Sequence, residues 1–217
     1  MGAIARQLAE EIPKSTIRLR ASVARLDGGC VVLASGERLD SAAVVLATDY
    51  ATAGALRDEP VPTDPGRRSL SLYFDAAAAP VRGPWLMING DGQGPIGTAS
   101  VLSEVSPAYA PAGRALVAVS LADQSTSDSP ELLAAVRRQL RDWFGRQAED
   151  WWHLRTDCID RALPPLSVLA VQNGVGRPRI RPGLYHCGDY CASGTLHGAL
   201  RSGRQTAEAI LADVDAL

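Results

Sequence analysis

The chain has 217 residues, 46% of them hydrophobic and 21% charged, which is enough for one sizeable domain or two small ones. Its formal net charge of −2 argues against a nucleic-acid partner and against a polybasic membrane patch. The stretch over residues 3–12 is amphipathic and charged, unlike a secretory signal, and no apolar run approaches the ~20 residues of a membrane helix. We therefore predict a cytoplasmic protein with no transmembrane segment.

The four cysteines are predicted to be reduced thiols, as is usual in the cytoplasm. Cys187 and Cys191 flank Gly188 and Asp189 at a spacing that a metal pair could use. Structural metal sites need a second pair of Cys or His ligands, and none has suitable spacing here. We therefore predict no metal, and two small thiols packed beside a glycine-rich turn.

The first predicted elements are a helix and several short strands. Apolar residues recur at helical spacing over residues 2–12, and Pro13 ends this helix. Alternating residues predict strands between 17 and 33, with turn residues at 27–29. Residues 42–47 are apolar on both faces, which is typical of a strand buried inside a sheet. The chain is then predicted to open into a loop.

The middle of the chain predicts a second sheet. Residues 57–68 are rich in Pro, Asp and Arg and are predicted to be a loop. Four predicted strands follow, at residues 70–74, 85–88, 98–102 and 115–121. Ser129 is suited to cap a helix that begins at Pro130 and ends at Gly145. These residues predict a mostly antiparallel sheet accompanied by a helix.

The last part of the chain is the most informative. Residues 160–182 contain several Pro and Gly and are predicted to be an extended loop. A short strand over 183–187 leads to Asp189 in a glycine-rich turn, and a helix is predicted from 196 to 213. Apolar spacing places the following residues on the inward face of this helix: Leu196, Leu200, Ala207, Ile210 and Leu211.

This strand, turn and helix have the chemistry of a ligand-binding edge. A helix N-terminus offers free backbone N–H groups and partial positive charge, which favour an anion or an electron-rich ring edge. Gly194 and Gly198 leave room for a ligand against the backbone, and Asp189 can accept hydrogen bonds from hydroxyl groups. The alternative is a segment that only packs, because Gly-Asp turns before helices are common.

The segment from Leu184 to Arg204 resembles the FAD-binding C-terminal motif of flavin-containing amine oxidases, protoporphyrinogen oxidases and phytoene desaturases. Residues 1–9, 17–26 and 43–48 resemble other parts of that domain, and residues 70–155 match the family's substrate domain in pattern only. The resemblance implies a mixed α/β (α+β) fold. A partial FAD-binding domain would comprise residues 1–55 and 156–217, with an antiparallel-sheet-plus-helix substrate domain inserted at residues 56–155.

The same resemblance implies a non-covalent FAD cofactor and the residues that bind it. Asp189 takes the position that binds the ribityl and pyrophosphate region of FAD. Amide groups at the start of the last helix take the position facing the flavin pyrimidine, and a backbone group on the first strand holds the adenine. The implied cofactor-binding residues are Val23, Gly188, Asp189, Thr195, Leu196, His197 and Gly198.

The family begins with a Rossmann unit whose Gly-x-Gly-x-x-Gly turn binds the pyrophosphate. One such string is present, at residues 92–97, but Pro95 and the β-prone residues 98–102 predict no helix behind it. We therefore predict a loop there, and weak or no FAD binding by the isolated chain. The chain is expected to be a gene fragment, a chain with a misplaced start, or half of a split enzyme with a separate N-terminal Rossmann chain.

No catalytic residue is assigned from the sequence. Amine oxidases usually place a lysine near flavin N5, but the one lysine present, Lys14, lies beside the first helix. This favours desaturase-like or other dehydrogenation of a small organic substrate, in which the flavin accepts the hydride and the protein positions the substrate. Two alternatives stay open: a non-catalytic remnant or partner subunit of a flavoprotein, and a small-molecule-binding domain without a redox role.

Four further residues are interpreted individually, and two of them have alternative interpretations. His197 either faces the flavin or is a surface or capping histidine. His153 either lines a substrate tunnel or belongs to aromatic packing against the preceding helix, which is favoured. Tyr190 is a candidate to stand near the flavin ring, and His186, within a strand, is expected to be structural.

Overall fold

The structure, a computed structural model, describes residues 2–58, 66–122, 128–165 and 177–215. The chain folds as two compact units, Met1–Thr63 with Ser167–Leu217 and Asp64–Leu166. The boundary expected after residue 155 instead falls inside a strand of the second unit, because that strand pairs along its whole length with a neighbour there. Within the described ranges, no helix is long and apolar enough to span a membrane.

The elements are numbered in chain order. The helices are α1 (Gly2–Glu10), α2 (Tyr50–Leu56), α3 (Leu102–Val105), α4 (Pro130–Phe144) and α5 (Leu196–Asp215). The strands are β1 (Val23–Asp27), β2 (Cys30–Leu33), β3 (Arg38–Asp40), β4 (Val44–Leu46), β5 (Arg67–Ala76), β6 (Leu86–Ile88), β7 (Ile96–Val101), β8 (Ala115–Leu121), β9 (Trp152–Leu163), β10 (Arg179–Arg181) and β11 (Leu184–His186). Short 3-10 turns occur at Lys14–Thr16, Pro107–Tyr109, Arg146–Asp150 and Asp189–Cys191.

The first unit contains two small sheets. Strands β1, β2 and β3 form an antiparallel meander, in which the turn at Gly28 takes a positive φ of 66°. The second sheet has the order β10-β11-β4, and β11 runs parallel to β4 with Tyr185 opposite Val45. A strand was predicted over residues 42–47 as the buried interior of a sheet. Among the described strands β4 instead lies at the sheet edge, and Val45 is 40% exposed.

Two helices of the first unit differ in how they are held. Helix α1 matches the predicted helix but buries none of its residues, and the apolar side chains of Ile4 and Leu8 are exposed. Helix α2 replaces the loop that was predicted after β4. Asp49 begins it, because its Oδ1 accepts the backbone N–H groups of Ala51 and Thr52, each at 3.1 Å.

Helix α5 packs on β11 through small and polar residues, and this corrects the predicted inward face. Leu196, Leu200, Ala207 and Leu211 are exposed, and only Ile210 of the predicted set is partly buried. The buried positions follow the spacing i, i+4, i+8 and are Gly198, Ser202 and Thr206. Hydrogen bonds to β11 explain why this face of α5 is buried, because the Thr206 hydroxyl donates to the His186 carbonyl oxygen at 2.9 Å.

The second unit is a five-stranded antiparallel sheet with the order β6-β7-β8-β5-β9, with α4 packed on one face. Strand β5 alternates as expected, with buried residues at every second position from Leu70 to Ala76. The side chains of Leu132, Val136 and Leu140 from α4 complete this core. The Ser129 hydroxyl accepts the Leu132 N–H at 3.2 Å, which confirms the predicted helix cap.

The first four residues of the Gly-x-Gly-x-x-Gly string, 92–95, lie in the loop between β6 and β7, and its last two begin β7. The loop prediction is therefore confirmed for residues 92–95, and a strand, not a helix, follows. Buried Gln139 of α4 holds this loop. Its Oε1 accepts the Ile96 N–H at 2.7 Å, and its Nε2 donates to the Gln93 carbonyl oxygen at 2.7 Å. A Cβ on Gly94 would come within 2.5 Å of the Gln139 Oε1 atom. The glycine therefore serves loop packing rather than phosphate binding.

Strand β9 contradicts part of the predicted loop over 160–182, because it continues to Leu163. Trp151, just before the strand, packs its ring against Phe144 at a centroid distance of 5.5 Å. The His153 ring lies 5.4 Å from that of Phe74, and its Nε2 is 3.1 Å from the Thr156 hydroxyl. His153 is therefore in aromatic packing as predicted, but its partner is Phe74 of β5 and not the preceding helix. The rest of the predicted loop includes residues 166–176, which lie outside the described residues.

Candidate functional site

Two loops of the first unit meet where β4 and β11 end; this carboxyl-end side of the sheet is the edge that carries the candidate site. Because β4 and β11 are parallel, the residues after both strands emerge at the same edge. The Cys187 N–H donates to the Leu46 carbonyl oxygen at 3.0 Å, which continues the ladder one residue beyond β11. The turn that contains Asp189 is therefore a neighbour of the loop that contains Asp49.

Gly188 is the point of closest approach in this turn. A Cβ there would lie 2.5 Å from Cε1 of the Tyr190 ring and 3.4 Å from the Thr48 carbonyl oxygen. Its φ of 161° is ordinary extended backbone, so the requirement for glycine comes from space and not from conformation. The Gly188 N–H donates to the Ser202 hydroxyl at 2.9 Å, which fixes the turn to α5.

Asp189 is partly buried at the start of the Asp189–Cys191 turn. Burial raises the pKa of its carboxyl group, and the nearby carboxylate of Asp49 raises it further. Backbone N–H groups of the turn act in the opposite direction and lower this pKa. A carboxyl group in these surroundings is a hydrogen-bond partner for ligand hydroxyls at the sheet edge.

The first turn of α5 presents two unused amide groups. Thr195 caps the helix, because its hydroxyl accepts the Gly198 N–H at 3.0 Å. The amide of Gly198 is therefore engaged within the chain. In the described part of the chain, the N–H groups of Leu196 and His197 have no acceptor, and both side chains are exposed. These two donors lie at the positive end of the helix.

Gly198 is nevertheless required for the shape of this helix start. A Cβ at this position would collide with the Ser193 carbonyl oxygen. That carbonyl also accepts the Thr195 N–H at 2.5 Å, and the hydroxyl groups of Ser193 and Thr195 lie 3.0 Å apart. Residues 193–198 are thus a compact turn at the start of α5.

Tyr190 is buried in the core of the first unit and does not line the sheet edge. Its ring packs edge-on against Tyr50 at 5.4 Å and lies 5.7 Å from the His186 ring. Burial raises the pKa of its hydroxyl, and burial also raises the pKa of the neighbouring Cys191 thiol to about 12. Both groups are therefore neutral at physiological pH. The Tyr190 ring therefore supports the Asp189–Cys191 turn from within the core.

The remaining predicted residue, Val23, lies at the start of β1, opposite Leu33, in the three-stranded meander. Its side chain is 41% exposed. The structure therefore brings together Gly188, Asp189 and the helix start, all on one sheet and its helix, and places Val23 in the other sheet of the same unit.

Sequence reasoning missed two supports of this edge. Asp49 precedes Tyr50-Ala51-Thr52, and an Asp that caps a helix is a signal that could have been recognised. The second support is Ser202, whose hydroxyl accepts the Gly188 N–H. The same hydroxyl can donate to the Gly188 carbonyl oxygen, at 2.8 Å, or to the Ala199 carbonyl oxygen, at 2.9 Å. Apolar periodicity contains no signal for a helix face that packs through hydrogen bonds.

The geometry defines the class of ligand that this edge can hold. Unused amide groups on α5 suit an electron-rich ring edge, and the Asp189 carboxyl group suits a hydroxylated chain. The glycines at 188 and 198 are required by contacts within the chain, with the Tyr190 ring and the Ser193 carbonyl oxygen respectively. These features fit a ligand that has an electron-rich edge and hydroxyl groups, in a protein of mixed α/β fold.

Comparison with known families assigns the chain. The profile of the flavin containing amine oxidoreductase family matches residues 1–211. The chain therefore belongs to this family. A comparison with curated protein sequences found no match.

Solved structures with the same fold are about twice as long as this chain. A putative protoporphyrinogen oxidase from Exiguobacterium sp. 255-15 superposes with a TM-score of 0.70 at 18% identity, over 96% of this chain and 50% of that one. Cyclohexylamine oxidase from Brevibacterium oxydans IH-35A gives a TM-score of 0.70 at 17% identity, over 98% and 52%. Reduced UDP-galactopyranose mutase gives 0.62 at 11% identity, over 85% and 45%. The chain thus spans about half the length of the proteins it resembles.

Proposed function

We propose that the chain forms the flavin-edge half of an FAD-dependent oxidoreductase that dehydrogenates a small organic substrate. One observation carries the proposal: the unused amides of Leu196 and His197 and the carboxyl group of Asp189 share the edge where β4 and β11 end. Family membership supports a flavin as the ligand for this edge. A bound flavin supplies a hydride acceptor, and the chain supplies the groups that hold and orient it.

Each residue of the edge has a proposed role in holding FAD. The amides of Leu196 and His197 donate to the electron-rich pyrimidine edge and stabilise negative charge there. Asp189 accepts a hydrogen bond from the ribityl chain, and Gly188 keeps the backbone close to it. Thr195 and Gly198 shape the helix start, since the Gly198 amide is already used by Thr195. The backbone of Val23 is proposed to hold the adenine.

The second unit is proposed to be the substrate domain. One face of its sheet is covered by α4, and the other carries small polar side chains such as Ser71 and Ser120, whose hydroxyl oxygens lie 3.1 Å apart. Thr98 is paired with Ser120 on this partly exposed face. The same face also carries Tyr73 and the exposed apolar side chains of Leu86 and Ile88. A face that combines apolar and small polar side chains supports a substrate-positioning role.

The pyrophosphate of FAD is proposed to be held by a nucleotide-binding segment outside these 217 residues. The Gly-x-Gly-x-x-Gly string at residues 92–97 is committed to the β6–β7 loop by Gln139. Family proteins of known structure are about twice as long, which leaves half of each protein to supply that segment. We therefore expect the isolated chain to bind FAD weakly.

The test removes one amide donor without disturbing the helix. Proline is tolerated at the first helical position, so Leu196→Pro deletes an N–H while Leu196→Ala retains it. FAD is titrated into each protein and followed by flavin fluorescence. We expect weak, saturable binding by the wild type and by Leu196→Ala, and about tenfold weaker binding by Leu196→Pro, the value of one hydrogen bond of about 1.4 kcal/mol.

Two outcomes contradict the proposal. Equal FAD affinity for Leu196→Pro and Leu196→Ala would remove the helix start from the site. Purified chain that carries one tightly bound flavin without any second protein would remove the need for an external nucleotide-binding segment. Circular dichroism of all three proteins provides the control that α5 still forms.

A further inference from the structure

A cavity opens at one end of the sheet in the second unit, where β5 and β7 finish and β8 begins. Its volume is about 530 Å³, which is in the usual range for a small-molecule site. The loop after β5, the α3 region and the turn before β8 line it together. It shares no residue with the sheet face that is proposed to position the substrate. The proposed flavin chemistry therefore does not account for this cavity.

Small side chains form the apolar part of the cavity wall. Alanines line it at positions 77–79, 110, 112 and 115. Because a methyl group fills little of the space between the segments, the volume between them stays open. Methyl groups offer contacts to hydrocarbon and no hydrogen bonds. The wall therefore suits a ligand with an apolar part, as most small-molecule sites do.

The charged residues of the lining carry an excess of positive charge. They are Arg82, Glu104 and Arg114. Glu104 is engaged within the chain, because its Oε1 accepts from Arg82 Nη1 at 3.2 Å and its Oε2 accepts the Gly83 N–H at 2.8 Å. The carboxylate that pairs with Arg114 belongs to Asp75, which is not part of the lining. A cavity with these charges favours an anion.

Both arginines keep N–H groups that the chain does not use. Arg114 donates through Nε and Nη2 to the two carboxylate oxygens of Asp75, at 2.8 and 2.6 Å. Among the described residues, its Nη1 group has no acceptor. Arg82 donates through Nη1 alone within the same part of the chain. Free N–H groups of a planar guanidinium match the oxygens of a carboxylate.

The segments around the cavity are held in place by their own hydrogen bonds. The Arg114 N–H donates to the Pro111 carbonyl oxygen at 3.0 Å and closes a turn in which Gly113 has a φ of 77°. The loop after β5 is held by Trp85, whose Nε1 donates to the Arg82 carbonyl oxygen at 2.9 Å. A site that is already formed loses little conformational entropy when a ligand binds.

We infer that this cavity binds a small organic carboxylate that has a hydrocarbon part. Arg114 and Arg82 hold the carboxylate, and the alanine methyl groups contact the hydrocarbon. Arg114 contributes more, because its side chain is 41% exposed against 83% for Arg82, and water screens the more exposed charge. The inference does not rest on the proposed flavin site.

The test titrates hexanoate into the full chain at pH 7, where a carboxyl group is ionised. Hexanamide has the same hydrocarbon part without the charge, and inorganic phosphate has charge without the hydrocarbon part. NMR spectroscopy of the isotope-labelled chain measures each affinity and identifies the residues whose amide signals shift.

Two variants test the two parts of the site. Arg114→Gln removes the guanidinium, and its control is Arg146→Gln, exposed and outside the lining. Ala112→Trp fills the cavity from an exposed position, and its control is Ala108→Trp, which is also exposed and outside the lining. Ala112→Trp keeps the test valid if Arg114→Gln does not fold, because it leaves the pair of Arg114 and Asp75 intact.

We expect hexanoate to shift the amide signals of residues 77–83 and 110–115. Hexanoate should bind about tenfold more tightly than hexanamide or phosphate, as for one charge-assisted hydrogen bond or one set of apolar contacts. Arg114→Gln should weaken hexanoate binding about tenfold and leave hexanamide binding unchanged. Ala112→Trp should weaken the binding of both molecules by at least about tenfold, and both controls should bind like the wild type.

Other results overturn the inference. They are no saturable binding of hexanoate, binding without shifts at the cavity, equal affinity for hexanoate and for hexanamide or phosphate, and full hexanoate affinity in Arg114→Gln or Ala112→Trp. Leu196→Pro separates this inference from the proposed function, because it should weaken FAD binding and leave hexanoate binding unchanged. Loss of hexanoate binding in Leu196→Pro would place the carboxylate in the first unit and overturn the inference.

Discussion

The hydroxyl group of Ser202 accepts the backbone N–H of Gly188 at 2.9 Å, and so ties the middle of a helix to the turn that follows a strand. The same hydroxyl lies 2.8 Å from the Gly188 carbonyl oxygen. One helix turn further on, Thr206 bonds to the carbonyl oxygen of His186. Helix α5 is therefore held along the strand at two levels, and its first turn extends beyond the end of the sheet.

Ser202→Ala is expected to destabilise the first unit. The substitution leaves the Gly188 N–H without its acceptor in a partly buried turn, which costs about 1–3 kcal/mol in the free energy of unfolding. Chemical denaturation measures the change. Arg201→Ala, at an exposed position on the same helix, is the control and should change stability by less than about 0.5 kcal/mol. Equal stability of Ser202→Ala and the wild type would show that the turn is held by other contacts.

Gly188→Ala is expected to be destabilising through the ring of Tyr190. The new methyl group would lie 2.5 Å from the ring, so the ring or the turn must move, at a cost of about 1–3 kcal/mol. A double-mutant cycle with Tyr190→Ala tests the cause, because the methyl group should cost much less once the ring is gone. Additive effects of the two substitutions would place the strain elsewhere, for example at the Thr48 carbonyl oxygen.

Gln139→Leu is expected to destabilise the second unit without changing flavin affinity. Leucine has a similar size but cannot accept the Ile96 N–H or donate to Gln93, so a buried donor loses its partner at a cost of about 1–3 kcal/mol. Thermal unfolding and FAD titration are the two measurements. A lower FAD affinity at unchanged stability would instead connect the loop at residues 92–97 with phosphate binding.

Asp189→Asn is expected to stabilise the folded chain at neutral pH. Burial raises the pKa of Asp189 above its unfolded value near 3.8, so the folded chain holds this proton to higher pH. Wild-type stability therefore falls as the pH rises from the unfolded pKa through the folded pKa, and the amide variant escapes that loss. Urea unfolding from pH 3 to 7 measures it, with Asp142→Asn, exposed on α4, as the control.

A stability advantage of Asp189→Asn that grows as the pH falls would contradict this sign. The same variant should bind FAD less tightly than the wild type, because the amide is a weaker acceptor than a carboxylate for ribityl hydroxyl groups. Opposite effects on stability and on binding are the mark of a residue retained for ligand binding.

Much of the second unit could be predicted because its residues follow simple rules. Strand β5 alternates, and α4 has an apolar face, a Ser cap and a glycine end with a positive φ of 75° at Gly145. Strand β9 could not be predicted in full. It is an edge strand whose exposed residues show no alternation, and only its pairing with β5 defines it.

The candidate site was predictable in its order of elements but not in its contacts. The strand, the Gly-Asp turn and the helix were recognised together, and the structure brings them to one edge. The orientation of α5 could not be predicted, since Leu196 and Leu200 point outward while Ser202 and Thr206 face the strand. Hydrophobic spacing assumes that the buried face is apolar, and here backbone hydrogen bonds define it.

The two units differ in how much apolar material holds them together. In the described residues, the second unit buries a cluster that runs from Leu70 to Trp151, whereas the corresponding cluster of the first unit is smaller and contains Leu46, Ala53, Leu184, Tyr190 and Cys191. Local melting should therefore begin where the ligand is held, well before the rest of the chain unfolds. A ligand that binds to this part of the first unit is expected to raise the unfolding temperature of the first unit and not that of the second.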